Sequence, residues 1–233
     1  MGKKKYEHYK RFSNIHEARV WGEKYYGNWL PDYQLGGKLQ NIYNCDRLEA
    51  LLGRKFETDE EKRKAKEEML EYKYFSFYCG GNWGLAINEK LRNGNTEIGF
   101  SEQELAQMQT VMDKRLNQSY IPEKIIGYRF LNYNNLCASL LKRRIVPGMI
   151  IIDKGYMGVG LVKNELAKEF ATIEEEDTLL EVMIPRGANA LYVDLISCRE
   201  NEQEVLFARN SKMRVLFVYK RKKRRVIICK YVL

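Results

Sequence analysis

The residues of this chain best suited to chemistry are two glutamates, Glu202 and Glu204, which are separated only by Gln203. An apolar run at 205–207 follows the pair, and another at 190–196 precedes it. This pattern predicts two strands joined by a polar turn. Since side chains alternate faces along a strand, both carboxylates should lie on one side, about 7 Å apart along the chain. Like charges this close raise each other's pKa unless a cation is near. The pair is a candidate acid–base site, and a solvated turn is the alternative.

The length of 233 residues allows one large domain or two small ones. Of these residues 45% are hydrophobic and the net charge is +9. No apolar run approaches the about 20 residues that a membrane span needs, and no secretory signal follows the basic N-terminus. The five cysteines are odd in number and scattered, without Cys-x-x-Cys spacing. This favours reduced thiols in a cytosol over a disulfide framework or a metal site.

The sequence pattern changes from helical to strand-like near residue 122. Before it, Ser13 is a candidate helix cap, and Thr58 with Glu61 and Ser101 with Glu104 form capping-box patterns. After it, short apolar runs occur at 125–130, 149–152, 179–184, 191–196, 205–207, 215–219 and 226–232, with a helix expected at 137–144. A helical part over about 1–122 and a β-rich part over about 123–233 predict an α+β fold with mixed or antiparallel strands.

A basic run extends from Lys220 to Arg225 between two of these apolar runs. Six consecutive cations can bind nucleic acid or another anionic surface through phosphate contacts. A β-hairpin with a solvated basic tip explains the run equally well. Both interpretations stay open at the level of sequence.

Several motifs occur in a characteristic order. Arg129 ends an apolar run, a glycine-rich stretch with one aromatic residue follows at 154–161, and the Glu202–Glu204 pair comes last. Together with the stretches at 12–29, 77–92, 184–197 and 206–215, they resemble the Arg / Ser-Thr-Ser / Glu-x-Glu class of bacterial mono-ADP-ribosyltransferase toxins. The likeness spans roughly residues 12–220. It is greatest to the enzyme components of clostridial binary toxins, to vegetative insecticidal toxins and to Rho-modifying exoenzymes.

The resemblance implies a fold and a reaction. The fold would be a single domain over residues 1–233, with N-terminal helices packed on a β-sandwich core of mixed and antiparallel strands. The reaction would be transfer of ADP-ribose from NAD to a protein side chain, without a metal. Glu204 would bind the nicotinamide ribose and stabilise the oxocarbenium-like cation, and Glu202 would orient and deprotonate the attacking group. A glutamate at the place of Glu202 implies an arginine target.

The resemblance also implies a set of NAD contacts. Arg129 would pair with the phosphates. Asn88 and Arg92, four residues apart on one helix face, would add polar contacts, with Tyr78 beside them. Each residue also has a simpler interpretation, because Arg129 could be a surface cation, Tyr78 a core aromatic and Asn88 an ordinary helix-surface amide.

The chain departs from the family pattern at three places. Gly158-Val159-Gly160 stands where the family has Ser-Thr-Ser, so the hydroxyl that supports the catalytic glutamate is missing. The glycine amides remain and permit close ligand approach, which keeps Gly158 among the NAD contacts. Phe130 replaces a second arginine. Arg199 occupies the turn in which the family often has an aromatic residue, so Arg199 and Glu202 are the candidates for target recognition.

Two functions from different classes follow. The first is an arginine-directed mono-ADP-ribosyltransferase that also hydrolyses some NAD when no target is present. The second is a catalytically degenerate docking module on the same scaffold. The expected partners are a target protein and a separate translocation component, with nucleic acid not excluded. The chain would act in the cytoplasm of its own cell, or be secreted or injected into a target cell without a classical signal peptide.

Overall fold

The computed structural model describes residues 8–27, 49, 55–95, 97–170, 177–197, 202–221 and 224–233. Within these ranges the helical part comprises α1 (Ile15–Tyr26), α2 (Asp59–Gly80), α3 (Asn82–Asn93) and α4 (Glu102–Gln118). The β-rich part comprises β1 (Ile125–Leu131), α5 (Tyr133–Ser139), β2 (Ile150–Asp153), β3 (Met157–Gly160), α6 (Lys163–Phe170), β4 (Thr178–Ile184), β5 (Ala190–Tyr192), β6 (Glu204–Phe207), β7 (Ser211–Arg221) and β8 (Arg224–Val232). No helix in these ranges is long and apolar enough to cross a membrane.

Local capping chemistry sets the helix starts. Thr58 and Ser101 both form the predicted capping boxes at the starts of α2 and α4. The predicted cap of α1 was wrong by one residue. The side chain of Asn14 accepts the backbone N–H of Glu17 at 2.9 Å, while Ser13 bonds to the Glu17 carboxylate. Asparagine and serine are comparable caps, so two such residues in a row leave the start ambiguous.

Two further boundaries differ from the prediction. The helix expected at 137–144 is α5, which begins at Tyr133 because the side chain of Asn132 caps it through the backbone N–H of Asn135. The strand expected at 191–196 ends at Tyr192. The chain turns there, and the N–H groups of Ile196 and Ser197 both bond to the carbonyl of Val193.

The eight strands of the described part of the chain form a mixed sheet in the order β2-β7-β8-β4-β1-β3-β6-β5. Within this sheet β4 and β8 run parallel, and the other neighbours are antiparallel. The link between β1 and β3 is a single residue pair, Tyr128 with Gly160. The sheet therefore consists of a five-stranded and a three-stranded part that meet at one point. The predicted α+β class with mixed strands is confirmed.

Helices α1 and α4 pack on β5 in the three-stranded part of the sheet, whereas α6 packs on β1. One buried cluster joins Ile87, Met108 and Met112 of the helices to Leu206 and Phe207 of β6. This burial stabilises the fold because the apolar faces of both layers leave water together.

Helix α1 packs directly on β5. A Cβ atom at Gly22 would overlap the ring of Tyr192, so only glycine permits this approach. The ring of Trp21 meets the same tyrosine edge-on at 6.0 Å. Helix α1 thus supports β5, the strand that precedes the turn carrying Glu202 and Glu204 (the glutamate turn).

The basic run forms a hairpin between β7 and β8, as one of the two interpretations predicted. The strands pair antiparallel up to Arg221 and Arg224, and residues 222 and 223 lie outside the described part of the chain. The Arg224 guanidinium lies 4.6 Å from the Phe130 ring, and that of Arg225 lies 3.3 Å from the Tyr133 ring. Two cations of the run therefore pack on aromatic rings of the protein itself.

Candidate active site

A cavity of about 660 Å³ lies where β1 and β3 meet, facing the end of α2 and the side of α3. Its lining includes seven residues that the sequence singled out: Tyr78, Asn88, Arg92, Arg129, Gly158, Glu202 and Glu204. Its volume is in the range of small-molecule and cofactor sites. Arg199, the eighth candidate, lies outside the described residues. The structure thus brings together side chains that are up to 126 positions apart in the sequence.

A closed hydrogen-bond network forms the wall on the α2–α3 side. Asn88 donates to the hydroxyl of Tyr78 at 2.9 Å and accepts the backbone N–H of Tyr156 at 2.7 Å. The Tyr78 hydroxyl donates to the carbonyl of Tyr156 at 3.1 Å. Burial raises the pKa of Tyr78, and the charge of Glu204 raises it further. The phenol therefore stays protonated, and the amide of Asn88 is used to hold it in place.

Arg92 is a fixed cation in the same wall. Its guanidinium donates to both carboxylate oxygens of Asp153, at 2.9 and 3.0 Å, and to the carbonyl of Tyr156 at 3.3 Å. Burial by itself lowers the pKa of Arg92, but the hydrogen bonds and charge of Asp153 outweigh it and the net shift is upward. Asp153 was not among the residues predicted from the sequence, although it directly follows the apolar run at 149–152.

Arg129 spans the junction between the two parts of the sheet. It lies on β1, and its Nη1 donates to the carbonyl of Gly158 on β3 at 3.2 Å. The side chain is partly buried and lines the cavity. This bond fixes the guanidinium beside the strand that pairs with Glu204.

Gly158 provides the space that the carboxylate of Glu204 occupies. A Cβ atom built on Gly158 would overlap Oε1 of Glu204 and would lie 2.8 Å from its Cδ. No side chain larger than glycine fits at position 158 while Glu204 keeps this conformation. The carboxylate of Glu204 therefore occupies the space that a side chain at position 158 would take.

Cys79 contacts the same carboxylate from α2. Its Sγ lies 3.9 Å from Oε2 of Glu204, within reach of a weak thiol hydrogen bond, and the residue is buried. Cys79 was not predicted to belong to the site, since a single cysteine inside an aromatic helix has no motif spacing that would indicate a role. The carboxylate of Glu204 lies between this thiol and the backbone of Gly158.

The glutamate turn differs from the predicted continuous strand. Strand β6 begins at Glu204, and Gln203 has a left-handed backbone with φ of 50°. Gln203 is 1% exposed, whereas Glu202 and Glu204 are partly buried and line the cavity. The prediction that both carboxylates share one side holds, but a turn produces it in place of strand alternation.

The charges in the cavity fit a ligand that is anionic at one end and becomes cationic at the other. Arg129 suits a phosphate, since a guanidinium provides a fork of donors, whereas the fork of Arg92 is already bound to Asp153. Glu204 and Glu202 suit a developing positive charge. Among the described residues, no group of three or more His, Cys, Asp or Glu side chains could hold a metal ion.

Comparison with known proteins agrees with this geometry. A family model of ADP-ribosyltransferase exoenzymes matches residues 18–233. No curated protein sequence gives a significant match. The C3 exoenzyme of Clostridium limosum superposes with a TM-score of 0.66 at 17% identity, covering 98% of this chain and 99% of that one.

Two further solved structures share the fold. BECa, an ADP-ribosylating toxin of a C. perfringens binary enterotoxin solved with NADH, has a TM-score of 0.67 at 19% identity, covering 96% of this chain and 50% of BECa. C3stau2 of S. aureus, solved with NAD, has a TM-score of 0.62 at 18% identity, covering 97% of this chain and 99% of that one. With the family model matching almost the whole sequence, the chain belongs to the ADP-ribosyltransferase exoenzyme family, whose substrate is NAD.

Proposed function

We propose that the cavity binds NAD and that the protein transfers its ADP-ribose group to an arginine side chain of a target protein. The observation that carries the proposal is the position of Glu204. Its carboxylate lies in the cavity above Gly158, whose carbonyl accepts the Arg129 guanidinium. An anion for the developing cation and a cation for the phosphates are thus adjacent, as cleavage of a dinucleotide requires.

The reaction can be written with all groups accounted for. The bond between the nicotinamide nitrogen and C1′ of the ribose breaks, and its electron pair neutralises the pyridinium ring. The positive charge that develops on the ribose is stabilised by Glu204, because a preorganised carboxylate in a partly buried site needs no reorganisation at that moment. A guanidinium nitrogen of the target then bonds to C1′, and Glu202 takes its proton. The products are nicotinamide, ADP-ribosyl-arginine and a proton.

Replacement of Arg129 by lysine is expected to raise KM for NAD roughly tenfold to a hundredfold, with little change in kcat. A lysine keeps the charge but loses the fork of donors that holds both Gly158 and a phosphate. A hydrogen bond to a charged group contributes about 1.5–3 kcal/mol. The measurement is steady-state nicotinamide release over a range of NAD concentrations.

The matched control for Arg129 is Arg186→Lys, since Arg186 is an exposed arginine in the turn after β4. This variant should keep the KM of the unaltered protein. Equal KM values for the Arg129 and Arg186 variants would remove Arg129 from the NAD site.

The arginine target rests on Glu202. A carboxylate can bind a guanidinium through two parallel hydrogen bonds, and Glu202 is partly buried in the cavity wall two residues from Glu204. Agmatine, a small guanidinium compound, should therefore accelerate nicotinamide release. In Glu202→Gln this acceleration should be lost while the slower release without acceptor is retained, since water replaces the acceptor in NAD hydrolysis.

The Glu202 experiment separates the target from the cleavage step. If agmatine accelerates Glu202→Gln as much as the unaltered protein, Glu202 does not select a guanidinium. If agmatine has no effect on either protein while NAD is cleaved, the target is a different side chain. Labelled NAD incubated with total cell protein then identifies the modified class by the chemical stability of the product bond.

The same proposal covers partners and location. The protein would act on a target protein inside the target-cell cytosol, and a separate translocation component would deliver it there. BECa supports this idea as one component of a binary toxin. The docking-module alternative rests on the Gly158-Val159-Gly160 substitution. A catalytically degenerate protein would be expected to lose the acid pair as well, whereas here both acids line the cavity and Glu204 fits against Gly158.

A further inference from the structure

We infer that Asp194 is a positioning residue that fixes the Glu202–Glu204 turn in its reactive geometry. The inference rests on the proposed function. Asp194 lies just after β5, where the chain turns towards the glutamates. Its carboxylate accepts the backbone N–H of Gln203 at 2.8 Å and the side-chain amide of Gln203 at 2.7 Å. It also receives the backbone N–H of Glu204.

Gln203 needs such support because its backbone conformation is unfavourable. Its φ of 50° lies in the left-handed region that residues other than glycine rarely adopt. Strained residues of this kind persist where their surroundings determine the conformation. All polar groups of Gln203 are bound, since its carbonyl accepts Leu161 N–H at 3.1 Å and its side-chain oxygen accepts the Tyr192 hydroxyl at 2.7 Å. Asp194 provides two of these partners.

The turn is also tied on its far side. The carbonyl of Glu204 accepts the backbone N–H of Val193 at 3.0 Å, next to Asp194. Both backbone polar groups of Glu204 are therefore bonded, its N–H group to Asp194 and its carbonyl to Val193. Because the carboxylate of Glu204 is fitted against Gly158, a small rotation of this backbone would displace it.

The support extends to helix α1. Tyr192 packs on Gly22 and Trp21 of α1 and donates to Gln203. The pKa of Asp194 is raised, because the effect of burial is the largest one. The amides of Gln203 and Glu204 and the nearby Arg19 of α1 act in the opposite direction and lower this pKa. The first helix of the chain thus reaches the glutamate turn through Tyr192 and through the charge of Arg19.

Two substitutions at Asp194 separate hydrogen bonding from charge. Asp194→Ala leaves the N–H groups of Gln203 and Glu204 and the Gln203 amide without this acceptor. In Asp194→Asn the side-chain oxygen can still accept both backbone groups. The side-chain amide of Gln203 can flip in this variant, so that its oxygen and nitrogen exchange places. Its oxygen then accepts from the side-chain amide at position 194, and its nitrogen donates to the Tyr192 hydroxyl. The asparagine variant should therefore keep the turn.

The test combines kinetics with hydrogen exchange of the purified full chain. In Asp194→Ala, kcat for nicotinamide release should fall roughly tenfold to a hundredfold, with KM for NAD within about threefold. The amides of Gln203 and Glu204 should exchange at least about tenfold faster, because local opening becomes easier. Asp194→Asn should stay within about threefold of the unaltered protein in both measurements.

The matched control is Asp177→Ala. Asp177 also accepts a backbone N–H, from Tyr133 at 3.0 Å, but it does not line the cavity. The Asp177→Ala variant should leave kcat and the hydrogen exchange of the Gln203 and Glu204 amides unchanged. If Asp194→Ala does not fold, Tyr192→Phe takes its place, with a smaller acceleration of exchange at Gln203.

Several outcomes would overturn the inference. They are unchanged kcat and exchange in Asp194→Ala, faster exchange spread evenly over the chain, or an equal effect in Asp177→Ala. The exchange measurement needs no activity. If the unaltered protein does not cleave NAD, the proposed function fails, and the exchange of Gln203 and Glu204 alone decides whether Asp194 holds the turn.

Discussion

Glu204→Gln is expected to lower kcat for nicotinamide release from NAD roughly a hundredfold to a thousandfold. Glutamine has nearly the same shape and can keep the contact with Cys79, but it carries no charge to stabilise the cation on the ribose. Preorganised electrostatic groups contribute effects of this size in other enzymes. KM for NAD should change little, since the charge is needed mainly in the transition state.

The control for this substitution is Glu165→Gln. Glu165 lies on α6, bonds to Lys168 and does not line the cavity. It should leave kcat and KM unchanged. A Glu204→Gln variant that retains kcat would show that Glu204 takes no part in bond cleavage, and a loss confined to KM would assign it to substrate binding alone.

Gly158→Ser is expected to lower the activity, although it restores the residue that the family has at this place. A Cβ atom at position 158 would overlap Oε1 of Glu204, so the carboxylate would have to leave its position. Forcing extra atoms into a filled site costs about 1–3 kcal/mol. If this cost is felt in the transition state, kcat falls roughly fivefold to more than a hundredfold. Gly158→Ala should show the same direction, since the Cβ atom is the cause.

Two variants test the reason for the Gly158 effect. Gly99→Ala is the control, because a Cβ at Gly99 has no atom within 4 Å and its activity should not change. Adding Cys79→Ala to Gly158→Ser should recover part of the loss, since it opens space on the opposite side of Glu204. Such coupling between neighbours is what a double-mutant cycle detects. A Gly158→Ser protein more active than the original would contradict the arrangement described here.

The parts of the fold that local chemistry determines could be predicted from the sequence. The capping boxes at Thr58 and Ser101 depend on residues three positions apart and were correct. The order of helices before strands gave the α+β class. The left-handed Gln203 could not be foreseen, because glutamine is not a turn residue and its conformation is held by Asp194 and Tyr192.

The candidate site was predictable in its motif residues and unpredictable in their support. Seven of the residues chosen from motif order line one cavity. Asp153 is 61 positions from Arg92, and Cys79 is 125 positions from Glu204, so nothing local connects them. Gly158 was interpreted as the loss of a hydroxyl. The structure shows in addition that glycine at position 158 leaves room for the Glu204 carboxylate, and this required the position of that carboxylate.

The central claim is that this cavity binds NAD and cleaves its nicotinamide bond at Glu204. The most direct measurement is nicotinamide release by the purified protein, with NAD binding determined calorimetrically on the same sample. The account predicts saturable binding, release in proportion to protein concentration, and faster release with agmatine. A protein that neither binds NAD nor releases nicotinamide would contradict it, and the docking-module function would replace it.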